Sequence, residues 1–250
     1  MAVKLNTHRT GGRGADRRAT AAMSSIELTL LDLAGADPGL RFSPHCWKTR
    51  MAIAHKGLDA HFRPWRFSDR SLDPSFSRVP VLLHGTETIA DSWRIAEYLE
   101  KTYPLRPGLF APAGVELARF VNRWADTLIP AMARVIVLEV YQCLDPADQP
   151  YFRASRERFF HDSLEVLVAD RPARLAELRT ALEPLRQIVK RQAFLHGETP
   201  AYADYCAFGL FMWARCCSRV EVLTQGDPIQ RWREQLLDVF DGMAKNTITS

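Results

Sequence analysis

Long apolar runs are missing from this sequence. None approaches the ~18 residues that a membrane-spanning helix needs, so no membrane segment is predicted. Internal repeats and paired metal-ligand spacing are missing too, and the five cysteines are odd in number, which argues for reduced thiols rather than a disulfide framework. We therefore expect a cytoplasmic protein that binds no metal. Its cysteines are Cys46, Cys143, Cys206, Cys216 and Cys217, and the vicinal pair is expected to pack inside an apolar helix.

An excess of basic residues is also missing once the N-terminus is set aside. The net charge of +4 arises within residues 1–24, and the remainder holds 28 basic and 28 acidic residues, so nucleic-acid binding is not supported. This extension has no apolar signal-peptide core and is predicted to be disordered or a transit-peptide-like segment. A third interpretation, which we favour, is that translation starts at Met23, because Met23-Ser24-Ser25 leads directly into the first predicted strand.

Two domains follow from the length and from a change in pattern along the chain. Residues 25–104 combine strand and helix patterns, residues 105–113 are rich in proline and glycine and form a predicted linker, and residues 114–245 are helical throughout. At 47% hydrophobic residues, the chain can bury two modest cores. Helices are predicted near residues 115–140, 151–168, 172–193, 202–222 and 228–243.

The first of three local signals is a helix start after a strand. Residues 26–33 are apolar and largely alternating, which predicts a strand, and a helix is expected from Pro44 to a stop at Gly57. Ser43 is then the N-cap residue of that helix. A thiolate brought there would be stabilised by unpaired backbone N–H groups and by the positive end of the helix dipole.

The second and third signals lie on either side of a predicted hairpin. Val79-Pro80 opens an apolar strand, where a proline indicates a sheet edge or a cis peptide bond. The chain then turns at residues 85–86 into a second strand over residues 87–90. Asp91-Ser92 follows and caps another helix, so a second set of open N–H groups faces the same end of the sheet.

With these residues in view, the chain resembles the cytosolic glutathione transferases over residues 26–242. The resemblance implies an α/β thioredoxin-like domain of βαβαββα order with a mixed four-stranded sheet, an all-α second domain and a homodimer. Glutathione would be the co-substrate. Ser43 would contact its sulfur, Val79 with Pro80 would pair with its cysteinyl backbone, and Asp91 with Ser92 would hold its γ-glutamyl end.

Two longer runs resemble a narrower branch, the bacterial β-etherases and fungal etherase-type enzymes. They are Ser-Pro-His-Cys-Trp-Lys-Thr-Arg-Met-Ala-Ile-Ala-His-Lys-Gly-Leu at residues 43–58 and Asp-Ser-Trp-Arg-Ile-Ala-Glu-Tyr-Leu at residues 91–99. The segments Phe-Leu-His-Gly at residues 194–197 and Ala-Asp-Tyr at residues 203–205 support the same branch.

Further contacts follow from the resemblance. A basic residue should meet the glycyl end of glutathione, and among Arg63, Arg66, Arg70 and Arg78 we select Arg70. The second substrate should lie against the first helix after the linker, with candidate walls at His45, Asn122, Trp124, Ile129, Met132, Ala133, Ile136 and Tyr141. Packing in the core is an alternative for each of these wall residues, and exposure to solvent is the alternative for His45.

Inside the first signal, Ser43-Pro44-His45-Cys46 has the form of a Cys-X-X-Cys box whose first cysteine is serine, which favours thiolate activation over disulfide exchange. Cys46 is expected to be a buried structural thiol. In the second domain Ala201 stands three residues before Asp204, where the family has Ser or Thr, so half of a capping box is missing.

The sequence thus predicts a glutathione transferase that uses the thiolate to attack a small, hydrophobic, aromatic electrophile, with cleavage of β-aryl ethers as the branch-specific form. Attack on chlorinated or epoxide electrophiles and peroxide reduction are open as other transferase activities. A non-catalytic protein of the same fold, which binds ligands or serves as a scaffold, is the alternative from a different class.

Overall fold

In the computed structural model the described residues are 27–69, 76, 78–110 and 114–250. The N-terminal extension over residues 1–24 lies outside them. The first domain contains β1 (Leu28–Leu33), α1 (Pro44–His55), β2 (Ala60–Trp65), β3 (Val81–His84), β4 (Glu87–Ala90) and α2 (Ser92–Thr102). The helix that the βαβαββα order places between β2 and β3 falls largely on residues outside the described ones.

The sheet has the order β2-β1-β3-β4, with β1 parallel to β2 and antiparallel to β3, and β3 antiparallel to β4. β1 lies at its centre, and the leucine-rich sequence of this strand leaves almost no exposed side chain. A strand buried on both faces reads as a continuous apolar run, which explains why strict alternation breaks down in its second half. The observed strand begins at Leu28, two residues later than predicted from the sequence.

The second domain is helical. Its elements are α3 (Val115–Cys143), α4 (Gln149–Phe160), α5 (Leu164–Ala169), α6 (Arg171–Ala181), α7 (Glu183–Val189), α8 (Tyr202–Cys217) and α9 (Pro228–Gly242). The long α3 and the almost completely buried α8 pack against each other, and α8 also packs against α1 of the first domain. In the described part of the chain, none of the helices combines the length and the apolar character that crossing a bilayer requires.

Two glycines allow close approaches that place the first domain against the second. A Cβ built at Gly209 in α8 would lie under 3.0 Å from the carbonyl oxygen of Pro44, at the start of α1. A Cβ at Gly35, in the loop after β1, would lie 2.7 Å from the carbonyl oxygen of Cys143, at the end of α3. Both ends of the loop that leads to α1 are therefore held by backbone of the helical domain.

Candidate active site

The N-terminus of α1 has the geometry that the sequence predicts. Ser43 is the N-cap residue with φ −61° and ψ 125°, and its Oγ accepts a hydrogen bond from the N–H of Cys46 at 3.3 Å. Pro44 occupies the first helical turn, where a missing N–H costs nothing. Ser43 is 4% exposed, so its hydroxyl lies in a site with little water around it.

Cys46 is a structural thiol, as predicted. It has no exposed surface, and burial raises its pKa well above the ordinary value, although a hydrogen bond with the Ser43 side chain opposes this. The nearby carboxylate of Asp32 raises the pKa further. Cys46 therefore stays protonated. The Ser43 hydroxyl, at the start of the same helix, can donate a hydrogen bond to the sulfur of a bound ligand.

The peptide bond between Val79 and Pro80 is cis, which is one of the two conformations predicted for this proline. The carbonyl of Pro80 accepts a hydrogen bond from the N–H of Asp91 at 3.2 Å, and Val81 pairs with Ala90 in the hairpin that connects them. The second and third sequence signals are therefore in direct contact through the backbone.

Asp91 caps α2 in a strained conformation. Its φ of 81° is rare for a residue with a Cβ, and its side chain accepts hydrogen bonds from the N–H groups of Trp93 at 3.0 Å and Arg94 at 3.2 Å. Ser92 is buried, and its carbonyl accepts a hydrogen bond from the Tyr202 hydroxyl of α8 at 2.7 Å. Strain of this kind concentrates at binding sites, where the surrounding contacts maintain it.

His45 lies in the first turn of α1 and faces Asp126 of α3. Burial lowers the pKa of its imidazole, the charge of Lys48 lowers it further, and the nearby carboxylates of Asp126 and Asp91 raise it less. Its Nδ1 lies 3.8 Å from an oxygen of Asp126, and its side chain retains 41% of its surface. The ring is therefore neutral at neutral pH and partly accessible.

An ion pair between the buried Lys48 and the partly exposed Asp126 connects the two domains. The Nζ of Lys48 donates hydrogen bonds to Asn122 at 2.8 Å and to Asp126 at 2.7 Å, which joins α1 to α3 across the domain boundary. Pro130 lies one turn beyond Asp126 and has no N–H, so the carbonyl of Asp126 loses its usual helical partner. Lys48 and Asp126 were not predicted from the sequence. The four-residue spacing of Asn122 and Asp126 on one helix face was the available signal.

The structure divides the predicted wall of the second-substrate pocket. Trp124 and Ile129 are partly exposed, whereas Met132 and Ile136 have no exposed surface and Ala133 has almost none. The last three side chains pack in the core of this structure, and their predicted role as walls of the pocket stays a prediction. Asn122 is committed to Lys48, and Tyr141 lies under the guanidinium of Arg153.

Among the arginine candidates, Arg70 lies outside the described residues. Arg66 is held by Asp145 at 2.9 Å and by the carbonyl of Ala36 at 2.7 Å. Arg78 is exposed next to Val79, and its charge lowers the pKa of His45. Within the described residues, no three His, Cys, Asp or Glu side chains are grouped as a metal site would require.

Comparisons with known proteins identify the arrangement. Residues 42–102 match the family model described as the N-terminal domain of glutathione S-transferases, and residues 117–238 match the model of their C-terminal domain. The chain belongs to the glutathione S-transferase family. The N-terminal match begins one residue before Ser43 and includes the cis peptide bond and the capped start of α2.

Curated relatives include several plant glutathione S-transferases. The chain is 32% identical over 111 residues to the probable glutathione S-transferase GSTU1 of Oryza sativa subsp. indica, which covers 40% of this chain and 45% of that protein. It is 25% identical over 181 residues to a probable glutathione S-transferase of Glycine max, which covers 70% of this chain and 69% of that protein. The matched region spans about half the length of most of these relatives.

Solved structures of fungal family members share the fold. Glutathione transferase GSTFuA3 of Phanerochaete chrysosporium superposes with a TM-score of 0.76 at 22% identity, covering 88% of this chain and 98% of that one. CsGST63524 of Ceriporiopsis subvermispora, solved in complex with glutathione, has a TM-score of 0.74 at 23% identity and covers 86% and 96%. The predicted fold class, a thioredoxin-like domain followed by an all-α domain, is confirmed.

Proposed function

We propose that the protein is a glutathione transferase that activates the thiol of glutathione at Ser43. One observation carries the proposal: a buried N-cap serine, a cis-proline and a strained, capped helix start lie at the same end of the sheet. The family membership adds that relatives with this fold bind glutathione, as the fungal complex does.

The roles of the residues come from the resemblance to the family. The γ-glutamyl end would bind at Asp91 and Ser92, at the start of α2, and the cysteinyl backbone would pair with Val79. The sulfur would then lie at the N-terminus of α1, accepting a hydrogen bond from the Ser43 hydroxyl. That donor and the helix dipole favour the thiolate, and each unit by which the thiol pKa falls corresponds to about 1.4 kcal/mol.

The thiolate attacks an electrophilic carbon held over it, forming a carbon–sulfur bond while the leaving group departs with the bonding electrons. The thiol proton passes to solvent before the attack. We propose a small aromatic electrophile from the resemblance to etherase-type enzymes, and Trp124 and Ile129 of α3 are partly exposed apolar side chains among the predicted walls. The resemblance of residues 43–58 to etherase-type enzymes favours β-aryl ethers, with a phenolate as the leaving group.

The test is a glutathione titration in which the thiolate absorbance of the bound peptide is followed against pH. A bound thiol that ionises below its solution value supports the proposal. Ser43→Ala should lower turnover more than glutathione affinity, because the hydroxyl acts on the thiolate rather than on the peptide. Equal losses of turnover and of glutathione affinity would mean that Ser43 only helps to bind glutathione.

Ser163→Ala is the matched control. Ser163 caps α5 with the same 3.3 Å hydrogen bond that Ser43 makes at α1, but α5 lies in the helical domain. Both substitutions remove a cap worth about 1 kcal/mol, and only Ser43→Ala should change the ionisation of the bound thiol. A panel of aryl ethers, aryl halides, epoxides and peroxides then identifies the electrophile.

A non-catalytic ligand-binding or scaffold protein is the second candidate. It is favoured if glutathione binds without a shift in its thiol pKa, or does not bind. We further propose that the protein acts as a homodimer in the cytoplasm. Five free thiols, four of them buried, suit a reducing compartment.

A further inference from the structure

Two thiols meet where α3 and α8 end. Cys143 is the last residue of α3 and Cys217 the last residue of α8. The Sγ of Cys143 donates a hydrogen bond to the carbonyl oxygen of Cys217 at 3.7 Å, and each thiol acts on the pKa of the other. Ser250 interacts with the Cys143 thiol, and its N–H donates to the carbonyl of Cys216 at 3.0 Å. The two cysteines therefore lie side by side, next to Ser250.

The thiol of Cys143 differs from the others in exposure and in ionisation. It is half-buried, and hydrogen bonds from Cys217 and Ser250 lower its pKa to about 7 against the opposing effects of burial and of Glu139. Burial raises the pKa of Cys206 and of Cys216 to about 12. A thiol whose pKa is close to the ambient pH is the most effective attacker of a disulfide, so this chain has one thiol suited to that role.

We propose that Cys143 and Cys217 form a redox-active dithiol, a modification site in which Cys143 attacks a low-molecular-weight disulfide such as glutathione disulfide and Cys217 resolves the product. The pair lies in the helical domain, at the ends of α3 and α8, and the proposal does not depend on Ser43.

The steps balance as a two-electron exchange. The Cys143 thiolate forms a bond to one sulfur of glutathione disulfide, the disulfide bond of that peptide breaks, and the first glutathione leaves as a thiolate that takes up the proton Cys143 lost. Cys217 is buried and burial raises its pKa well above the ordinary value, so its thiol reacts only with the neighbouring Cys143. Its sulfur attacks the Cys143 sulfur and expels the second glutathione, which takes the Cys217 proton. The protein gains one disulfide, and glutathione disulfide is reduced to two thiols.

The experiment treats the full-length protein with glutathione disulfide at pH 7, alkylates the remaining thiols and maps peptides by mass spectrometry. We expect a disulfide-linked pair of peptides that contain Cys143 and Cys217. In Cys217→Ala we expect a stable glutathionyl adduct on Cys143, and in Cys143→Ser no oxidation of Cys217. Cys46 and Cys206 are internal controls and should alkylate only after denaturation, because neither has any surface exposed to an external reagent.

The wild-type map decides the proposal even if a variant fails to fold. A glutathionyl adduct that persists on wild-type Cys143, a disulfide that involves Cys216, or no modification of Cys143 would each overturn it. The same oxidation should occur in Ser43→Ala. If oxidation is lost there, the exchange runs through the glutathione site and the dithiol proposal is wrong, whereas unchanged oxidation in a variant without transferase activity separates the two proposals.

Discussion

Gly209→Ala tests how the helical domain positions the end of α1 that holds Ser43. Gly209 lies inside α8, where glycine costs about 1 kcal/mol relative to alanine. Helix propensity alone therefore predicts that the substitution stabilises the protein. The structure predicts the opposite, because the new Cβ would overlap the carbonyl oxygen of Pro44 and lie 3.2 Å from its carbonyl carbon and 3.4 Å from Cγ of Lys48.

The size of the expected loss in stability depends on which part of the structure must move to accept the new Cβ. The obstacle is backbone in the first turn of α1, which cannot rotate away as a side chain would, so the helix end has to shift by about 1 Å. Overpacking costs about 1–3 kcal/mol, and a backbone obstacle places the cost near the upper limit. After the gain of about 1 kcal/mol in propensity, we expect a net loss of about 2 kcal/mol. Because Ser43 immediately precedes Pro44, turnover should fall by up to about 100-fold.

The assay combines the urea midpoint of unfolding with the rate of glutathione conjugation to an activated aryl halide. Ala214→Gly is the matched control: it lies in the same helix, is equally buried, and should lose about 1 kcal/mol from propensity with little change in turnover. A Gly209→Ala variant that is more stable than wild type, or that keeps full turnover, would refute the reasoning about the contact at Pro44.

Three further predictions concern charge and capping. Asp126→Ala should lower the free energy of unfolding by about 3 kcal/mol in a urea titration, and Lys48→Met should lower it less. Only the first substitution leaves a buried charge, that of Lys48, without its partner; equal losses would contradict this. Ala201→Ser should raise the melting temperature, because the serine hydroxyl can cap α8. The rise should be slight, because the N–H of Asp204 already donates to the carbonyl of Ala201; an unchanged melting temperature would count against this capping role. Stability should fall as pH drops below 6.5, because burial lowers the pKa values of His45 and His55 and the unfolded chain then binds protons that the folded rings resist; His45→Gln should remove the His45 part of that fall.

The parts of the site that could be predicted are those determined by neighbouring residues. Helix starts are predicted by the pairs Ser43-Pro44 and Asp91-Ser92 independently of the rest of the chain. A proline inside a strand pattern restricts the backbone to a sheet edge or a cis peptide bond. Local signals of the same kind also explain why one helix prediction was wrong. The helix predicted over residues 151–168 is two helices, because His161 adopts a left-handed conformation with φ 61° and Ser163 caps a new start.

The rest depends on contacts between distant parts of the chain. Lys48 lies in a helix whose sequence shows no reason to bury a lysine, and its partners are 74 and 78 residues away. Met132 and Ile136 fit an apolar wall as well as they fit a core, and only the packing of α3 against its neighbours distinguishes the two. Periodicity identifies a buried face, but it does not reveal whether protein or ligand covers that face.

These long-range contacts couple the interface between the domains to the proposed chemistry. The helical domain meets α1 at its first residue through Gly209, in its middle through the ion pair of Lys48, and at its last residue, where His55 contacts the Tyr205 hydroxyl at 2.7 Å. Since α1 carries Ser43 at its start, its position is determined by α3 and α8 as much as by the sheet. Substitutions at the interface should therefore change turnover along with stability, although their side chains touch neither glutathione nor the electrophile.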